Sequence, residues 1–418
     1  MILESICFSI IGIWMLFFIY IRIRYPFWSQ QPVCHIYDLF RRNIYLKPYI
    51  IQSKNPIRTK YVDFTNVLTK PFLDLTKEEL GVVVEFIQCH YLSSEIAMLL
   101  LSENILRYIM SGHIEQPYIS ILYETKMKLI LNEDHTATNV TKIITEKTPI
   151  GVMGSYALHF YLVHEKDTPF QTVSYWDFIS IHRNHSEPKN IHRLIQTHDY
   201  NQRIEGRSQV SLFKKEGDLC AGVVPLINYN SYLFLLHAVS APPLEPHVTC
   251  IRIQTENFHL VSDTLYNISR GQTNHSVDLA CFPSLSALQD RIQHNIYYVY
   301  VVRKKEEILG IFIFKDVFQN IEDQGNILEC TACFTNSYGQ EEEGHFFARF
   351  LCALHDIQKN VEKKYSLLQL NDLGHSILLL DKWKWKYAPV QTTECGYYLY
   401  NAWSSKIPFN KPGVFILN

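Results

Sequence analysis

The sequence predicts an α+β protein made of two successive mixed units. Strand-like runs rich in β-branched and aromatic residues recur along the chain, separated by stretches with helical i, i+3, i+4 spacing. A proline-rich link, Ala241-Pro-Pro-Leu-Glu-Pro246, interrupts this pattern, and beyond it strands and helices start again. The 418 residues are 47% hydrophobic and 19% charged, enough for two domains or one two-lobed domain and incompatible with bulk disorder.

The amino end stands apart. Ile6 to Ile21 is almost wholly apolar and is closed by Arg22 and Arg24. It lies at the short limit of a membrane span, about 17–25 residues. No small-residue cleavage site follows, so the segment reads as an uncleaved anchor whose arginines keep the bulk of the protein on the cytosolic side. A helix docked on the fold or lying in the interface is the alternative. With a cytosolic body, the sequons at Asn139, Asn184, Asn267 and Asn274 stay unused.

Tyr25–Val33 carries two prolines and is expected to be extended. A polar, irregular stretch leads to Pro71. Residues 72–110 read as helix, with Leu80, Val83, Val84, Ile87 and Tyr91 on one face. Tyr118–Tyr123, Lys128–Leu131, Ile150–Ser155 and Ala157–Val163 read as an antiparallel meander. Thr172–His182 is a strand, followed by the polar turn Arg183–Asn190 and a helix with Ile191, Leu194, Ile195 and His198 on one face. Ser186 suits its N-cap and Pro188 its first turn. A strand feeding a helix N-terminus through a polar turn can hold an anion on the unpaired first-turn N–H groups. His182, His185, His192 and His198 form no helical i, i+4 pair, so no metal is expected there.

Cys220–Leu226 reads as a strand whose Gly222 lets a ligand approach the backbone. After the link, strands are expected at Val248–Gln254, Ile296–Val302 and Ile308–Phe314, a helix at Glu343–His355, and a further strand at Ser376–Leu380. The chain closes on a tyrosine-rich strand from Gly396, a short proline loop, and the apolar run Val414-Phe-Ile-Leu before Asn418. An apolar end of that kind carries its α-carboxylate into the fold, where a buried carboxylate is a candidate working group. The net charge of −2 and pI near 6.8 argue against a nucleic-acid partner. The 10 cysteines are scattered without a CxxC pair and read as reduced cytosolic thiols.

Four segments together carry a family resemblance. Tyr25-Pro-Phe-Trp-Ser-Gln-Gln-Pro-Val33 resembles the Phe-Trp-x-x-Gln-Pro-Val signature of eukaryotic N-myristoyltransferases. Asp177-Phe-Ile-Ser-Ile-His182 resembles that family's Asn-Phe-Leu-Cys-Val-His strand, and Ala221-Gly-Val-Val another of its strands. Tyr397-Tyr-Leu-Tyr-Asn-Ala-Trp403 and the apolar end resemble its closing pattern. Order and spacing hold from about residue 25 to 418, which is nearly all of the chain except the anchor.

The resemblance implies two fused acetyltransferase-type (GNAT-like) folds around a saddle-shaped mixed sheet. Residues 25–240 would form the acyl-CoA half and 241–418 the peptide half. It implies transfer of myristoyl from myristoyl-CoA, a co-substrate, to the N-terminal glycine amine of proteins, by a monomer without prosthetic group. By the same mapping the N–H groups of Phe178 and Ile179 form the oxyanion hole. Phe27, Trp28 and Gln31 cover the CoA, Ile181 also contributes to its site, and Ser186, Lys189 and Asn190 hold its pyrophosphate. Tyr91, Cys220, Gly222 and Tyr398 meet the peptide, and the terminal carboxylate of Asn418 is the base. An α-carboxyl titrates near 3.3–3.7 and an α-amine near 7.7–8.0, so proton transfer between them costs on the order of 6 kcal/mol in water. Burial narrows that gap from both sides.

The chain departs from the family at the site. Asp177 stands in place of Asn beside the amine, and Cys220 in place of a Thr. Ser186-Glu-Pro-Lys189 replaces a basic Arg-Ser-Lys-Arg, and the acidic peptide-selecting loop shrinks to Leu92-Ser-Ser-Glu95. An acyl-CoA- or peptide-binding protein without turnover stays open, as does a transferase with another acyl chain or acceptor.

Overall fold

The computed structural model describes residues 2–418 except 39–46, 54, 93–96, 131–141, 166–167, 274–276, 337–339 and 405. Asn139, Asn274 and the Ser93–Glu95 part of the shortened loop lie outside the described residues. The strands are β1 (Tyr49–Ile50), β2 (Val67–Pro71), β3 (Ala97–Leu99), β4 (Tyr118–Ile130), β5 (Lys142–Leu162), β6 (Thr172–Ile181), β7 (Ser211–Glu216), β8 (Ile227–Leu235) and β9 (Val248–Arg252). Then follow β10 (Leu279–Phe282), β11 (Tyr297–Lys304), β12 (Glu307–Ile321), β13 (Gly325–Thr335), β14 (Tyr365–Asn371), β15 (Gln391–Tyr400), β16 (Ala402–Trp403) and β17 (Val414–Ile416).

Among the described residues, fifteen strands form one mixed sheet, so the α+β class holds. Its main path runs β17-β10-β5-β6-β7-β15-β8-β14-β13-β12-β11-β9, with β4 and β2 continuing from β5, and β3 from β12. β15 thus lies between strands from early in the chain, and β17 pairs in parallel with β10 at Leu279–Val414 to Cys281–Ile416. Leu417 N–H donates to Cys281 O at 2.8 Å, which carries Asn418 just past the strand end. The link 241–246 contains no helix or strand.

The stretch 72–110 is two helices rather than one. Thr76 and Glu79 form a capping box that starts Lys77–His90, and Ser102 caps Glu103–Met110. Between them, β3 pairs with Gln319–Ile321. The four-stranded meander is two long strands: β4 and β5 pair from Tyr118–Ser155 to Ile130–Lys142, with one register shift between Leu122 and Tyr123. Leu131 lies outside the described residues. The helix after β6 runs Pro188–Glu205 with Pro188 in its first turn; its N-cap is Glu187, because Ser186 closes the preceding turn Arg183–His185.

Cys220–Leu226 is not a strand; Val223 makes an isolated bridge to His35. The cause is Gly222, at φ +83° with the Tyr25 ring 2.8 Å from where a Cβ would stand, a conformation incompatible with a ladder. Ser376–Leu380 opens a helix, Ser376–Lys386, rather than a strand. Its Leu379 and Trp383 are buried one helical turn apart, a period that a five-residue window cannot reveal.

The amino-terminal helix Ile2–Arg24 also corrects an expectation. Among the described residues no helix is long and apolar enough to cross a membrane, so the single span is not supported. The mainly apolar run, Ile6 to Ile21, is 16 residues, short of the roughly 20 that a span takes. Most of its described side chains are exposed, and Ile21 and Phe27 are buried where the chain joins the body.

Candidate active site

A cleft of about 1030 Å³ is lined by β6, β7, the Cys220 loop, both halves of the sheet and Asn418. Of the residues expected at the site, Trp28, Tyr91, Asp177, Phe178, Ile179, Ser186, Cys220 and Asn418 line it. The others do not line it, and Lys189 is exposed to solvent. Phe27 is buried and stacks on His192 at 4.0 Å, and Gln31 accepts from Tyr400 OH at 2.7 Å. Asn190 donates from its side chain to His185 O at 2.9 Å, closing the turn beside Lys189. Ile181 packs within the same apolar cluster as Trp28 and Ile191. Tyr398 is buried and its hydroxyl accepts from Cys220 N–H at 3.2 Å. Gly222 is packed under Tyr25 rather than open to a ligand.

β6 bends where the chemistry is expected. Val152 pairs with Ser180 and Gly154 with Asp177, so Met153 opposes both Phe178 and Ile179 in a β-bulge. Phe178 takes φ +55°. Its N–H donates to Asp177 Oδ1 at 2.8 Å. The same carboxylate accepts from Tyr91 OH at 3.0 Å on Oδ1 and from Tyr156 OH at 3.3 Å on Oδ2. One of the two expected oxyanion donors is therefore engaged by Asp177. Burial, and then the Asp177 charge, raise the Tyr156 hydroxyl well above its ordinary pKa, so it stays a donor.

Asn418 ends the apolar β17 leader. Leu417 is fully buried, while Asn418 itself is half-exposed and faces the cleft. Its main-chain oxygen accepts from Tyr297 OH at 2.7 Å and from Lys315 Nζ at 3.0 Å. Its side chain accepts from Tyr397 OH at 3.0 Å and donates to Tyr175 OH at 2.6 Å. The cleft wall further carries the Lys214–Glu216 ion pair at 2.6 Å and Glu329, whose carboxylate accepts from Asn371 at 2.7 Å. Burial pushes the Cys220 thiol up to about 12, which makes it a neutral wall group and not a nucleophile.

Sequence reasoning missed Tyr156, Tyr175, Arg291, Tyr297 and Lys315. Arg291 had a signal: it falls on the apolar face of helix Leu285–Gln293, with Ala287, Leu288 and Ile292. The tyrosines had none, being ordinary strand residues in sequence. The four histidines have different partners: His198 bonds Ser120, His192 stacks on Phe27, and His182 bonds Asn184 N–H and meets the His185 ring edge-on at 5.5 Å. No group of three or more His, Cys, Asp or Glu residues able to hold a metal occurs among the described residues.

No protein-family model matches the chain, and no curated protein matches it in sequence. Solved structures do. Saccharomyces cerevisiae N-myristoyltransferase with bound myristoyl-CoA is similar at a TM-score of 0.63 and 12% identity, over 94% of this chain and 99% of that one. A second structure of the yeast enzyme with bound myristoyl-CoA gives 0.64 and 11%, over 94% and 93%. A third, with myristoyl-CoA and inhibitors, gives 0.62 and 12%, over 94% and 96%. The chain has the N-myristoyltransferase fold, in a strongly diverged sequence.

Proposed function

We propose that this protein is an N-acyltransferase that moves a myristoyl group from myristoyl-CoA to the N-terminal glycine amine of proteins. The observation that carries the reading is convergence: Asp177, the Phe178–Ile179 bulge and Asn418 line one cleft, although Asn418 lies 239 residues beyond Ile179 in the chain. The half before the 241–246 link would hold acyl-CoA, with Phe27, Trp28, Gln31, Ile181, Ser186, Lys189 and Asn190 around the nucleotide end. Tyr91, Cys220, Gly222 and Tyr398 would shape the peptide side, and a single chain would suffice.

In the proposed step the terminal carboxylate of Asn418 takes one proton from the glycine ammonium, and the neutral nitrogen then attacks the thioester carbonyl. The N–H groups of Phe178 and Ile179 bond the developing oxyanion, and as the C–S bond breaks the nitrogen's second proton passes to the departing CoA thiolate. Each such donor is worth about 2.7–4 kcal/mol where it has been removed. Tyr297 and Lys315 both favour the ionised carboxylate, and Asn418 is half-exposed. Its strength as a base therefore rests on position beside the amine more than on raised basicity. Asp177, which accepts from Tyr91, Tyr156 and the Phe178 N–H, would offset the ammonium charge.

The test is transfer of labelled myristate to a glycine-terminated peptide by the purified chain. Transfer supports the proposal; acceptance of peptides blocked at the amine but bearing a lysine would overturn it. The Phe178 N–H bond to Asp177 favours one second reading, an acyl-CoA- and peptide-binding protein without turnover. Acyl-CoA binding without transfer would establish that reading.

A further inference from the structure

Behind the cleft, helix Leu285–Gln293 inserts Arg291 into the core with 1% of its surface exposed. Burying a guanidinium is costly, and such groups are ordinarily met by a bonded carboxylate. Among the described residues no carboxylate lies within ion-pair distance of Arg291. Its hydrogen-bond partners are Tyr297 OH at 3.1 Å, Ile109 O at 2.9 Å and His113 Nε2 at 3.3 Å. Its guanidinium carbon also lies 4.9 Å from the ring centre of Tyr156 and 5.6 Å from that of Tyr297.

These contacts fix directions. Burial and the Arg291 charge lower His113 to about 3, so its ring is neutral. Its Nδ1 lies 3.0 Å from Ala157 O and its Nε2 2.8 Å from Ile109 O and 3.3 Å from Arg291, and a neutral ring donates to one of the two carbonyls only. The cation is anchored from behind by Ile109 O, with the His113 ring beside it. Tyr297 OH accepts from Arg291, so its own proton must point away from the guanidinium, and the acceptor there is Asn418 O at 2.7 Å. A cation over the Tyr156 ring withdraws charge from the phenol and strengthens its bond to Asp177 Oδ2.

We infer that Arg291 is a positioning residue whose buried charge orients the Tyr297 hydroxyl onto Asn418 and strengthens the Tyr156 hydroxyl's bond to Asp177, and so holds the two carboxylates of the proposed step. The consequence for turnover rests on the acyl-transfer reading, whereas the contacts themselves do not. Asn418 is faced by Tyr297 and Lys315 from β11 and β12, by Tyr397 from β15 and by Tyr175 from β6, with Arg291 behind Tyr297. Removing the Tyr297 hydroxyl therefore leaves one cation on the carboxylate but disconnects Arg291 from it.

Two measurements test this on the full chain. With ¹³Cζ-labelled tyrosine, Tyr156→Phe and Tyr297→Phe assign the two resonances, and Arg291→Met is expected to move both, Arg291→Lys less so. Unmoved resonances in a folded Arg291→Met protein overturn the inference. In the transfer assay, Tyr297→Phe is expected to shift the acid limb of kcat/KM upward by about one pH unit, about tenfold less activity on that limb, with KM for myristoyl-CoA unchanged. A lowered profile whose limb stays in place would mean a merely structural role and also overturns it. A wild-type chain without transfer sinks the acyl-transfer reading alone, and the tyrosine resonances still decide the inference.

Discussion

The main-chain N–H of Phe178 is bonded to the side chain of the residue before it, Asp177, at 2.8 Å. A donor expected to receive an oxyanion is thus held by a carboxylate, and a thioester oxygen must compete with it. Asp177→Asn keeps an acceptor in place but removes the charge, which weakens the competing bond. The variant is expected to retain kcat or raise it by up to about tenfold, against the 10²–10³ that one full donor is worth. Steady-state kinetics with myristoyl-CoA and a glycine peptide checks this. A loss of a hundredfold would instead give Asp177 a direct part in handling the amine.

Asn418 makes the second prediction. Lys315 and Tyr297 converge on its main-chain oxygen, and Leu417 before it is fully buried. A few residues appended after Asn418 convert the proposed carboxylate into a neutral amide and crowd the cleft. Turnover is expected to fall by at least a hundredfold, while myristoyl-CoA affinity, measured by calorimetry, changes less than threefold. An extended protein with full turnover would take the carboxylate out of the chemistry.

Gly222 and Gly217 offer a paired stability test. Both have positive φ, +83° and +74°, but only Gly222 has a ring where its Cβ would stand. Gly217→Ala is expected to cost about 1–2 kcal/mol, the left-handed penalty alone. Gly222→Ala should cost more, about 2–4 kcal/mol, because Tyr25 must also move. Denaturant unfolding compares the two, and equal losses would mean that the Tyr25 segment yields freely.

Asp199 predicts a pH dependence. It is 1% exposed, and burial raises its carboxyl to about 7 against the partial relief of Arg203, 3.5 Å away. From about pH 4 to 7 the folded chain keeps a proton that the unfolded chain has lost. Stability therefore falls as pH rises through that window and this contribution levels off above about 7. Asp199→Asn, which leaves Arg203 its bonds to Gln52, is expected to flatten the slope. Unfolding midpoints at pH 5 and pH 8 are the measurement; an unchanged slope would assign the proton elsewhere.

Much was legible where a local rule decides. β6 and Pro188 in the helix after it follow from alternation and a fixed φ, and the apolar run at Val414–Leu417 marks its own burial. Four motifs in register anticipated the fold that the yeast structures share. Local reading failed where two neighbours compete over one stretch: β3 splits an apparent helix by pairing with β12, and Trp383 turns an apparent strand into a helix. The membrane span failed because the apolar part of the 23-residue helix, Ile6 to Ile21, is shorter than a span.

What the sequence determined by itself is which segments are apolar, where helices begin, and which residue types stand at the site, because composition and near-neighbour geometry are written residue by residue. Which donors meet which acceptors was decided only by tertiary structure. Tyr297 is 121 residues from Asn418 and Tyr91 is 86 from Asp177, so no spacing rule links them. The physical reason is that a hydrogen bond depends on ångström-scale placement of two groups, and that placement comes from the pairing of β17 with β10 and the bulge in β6.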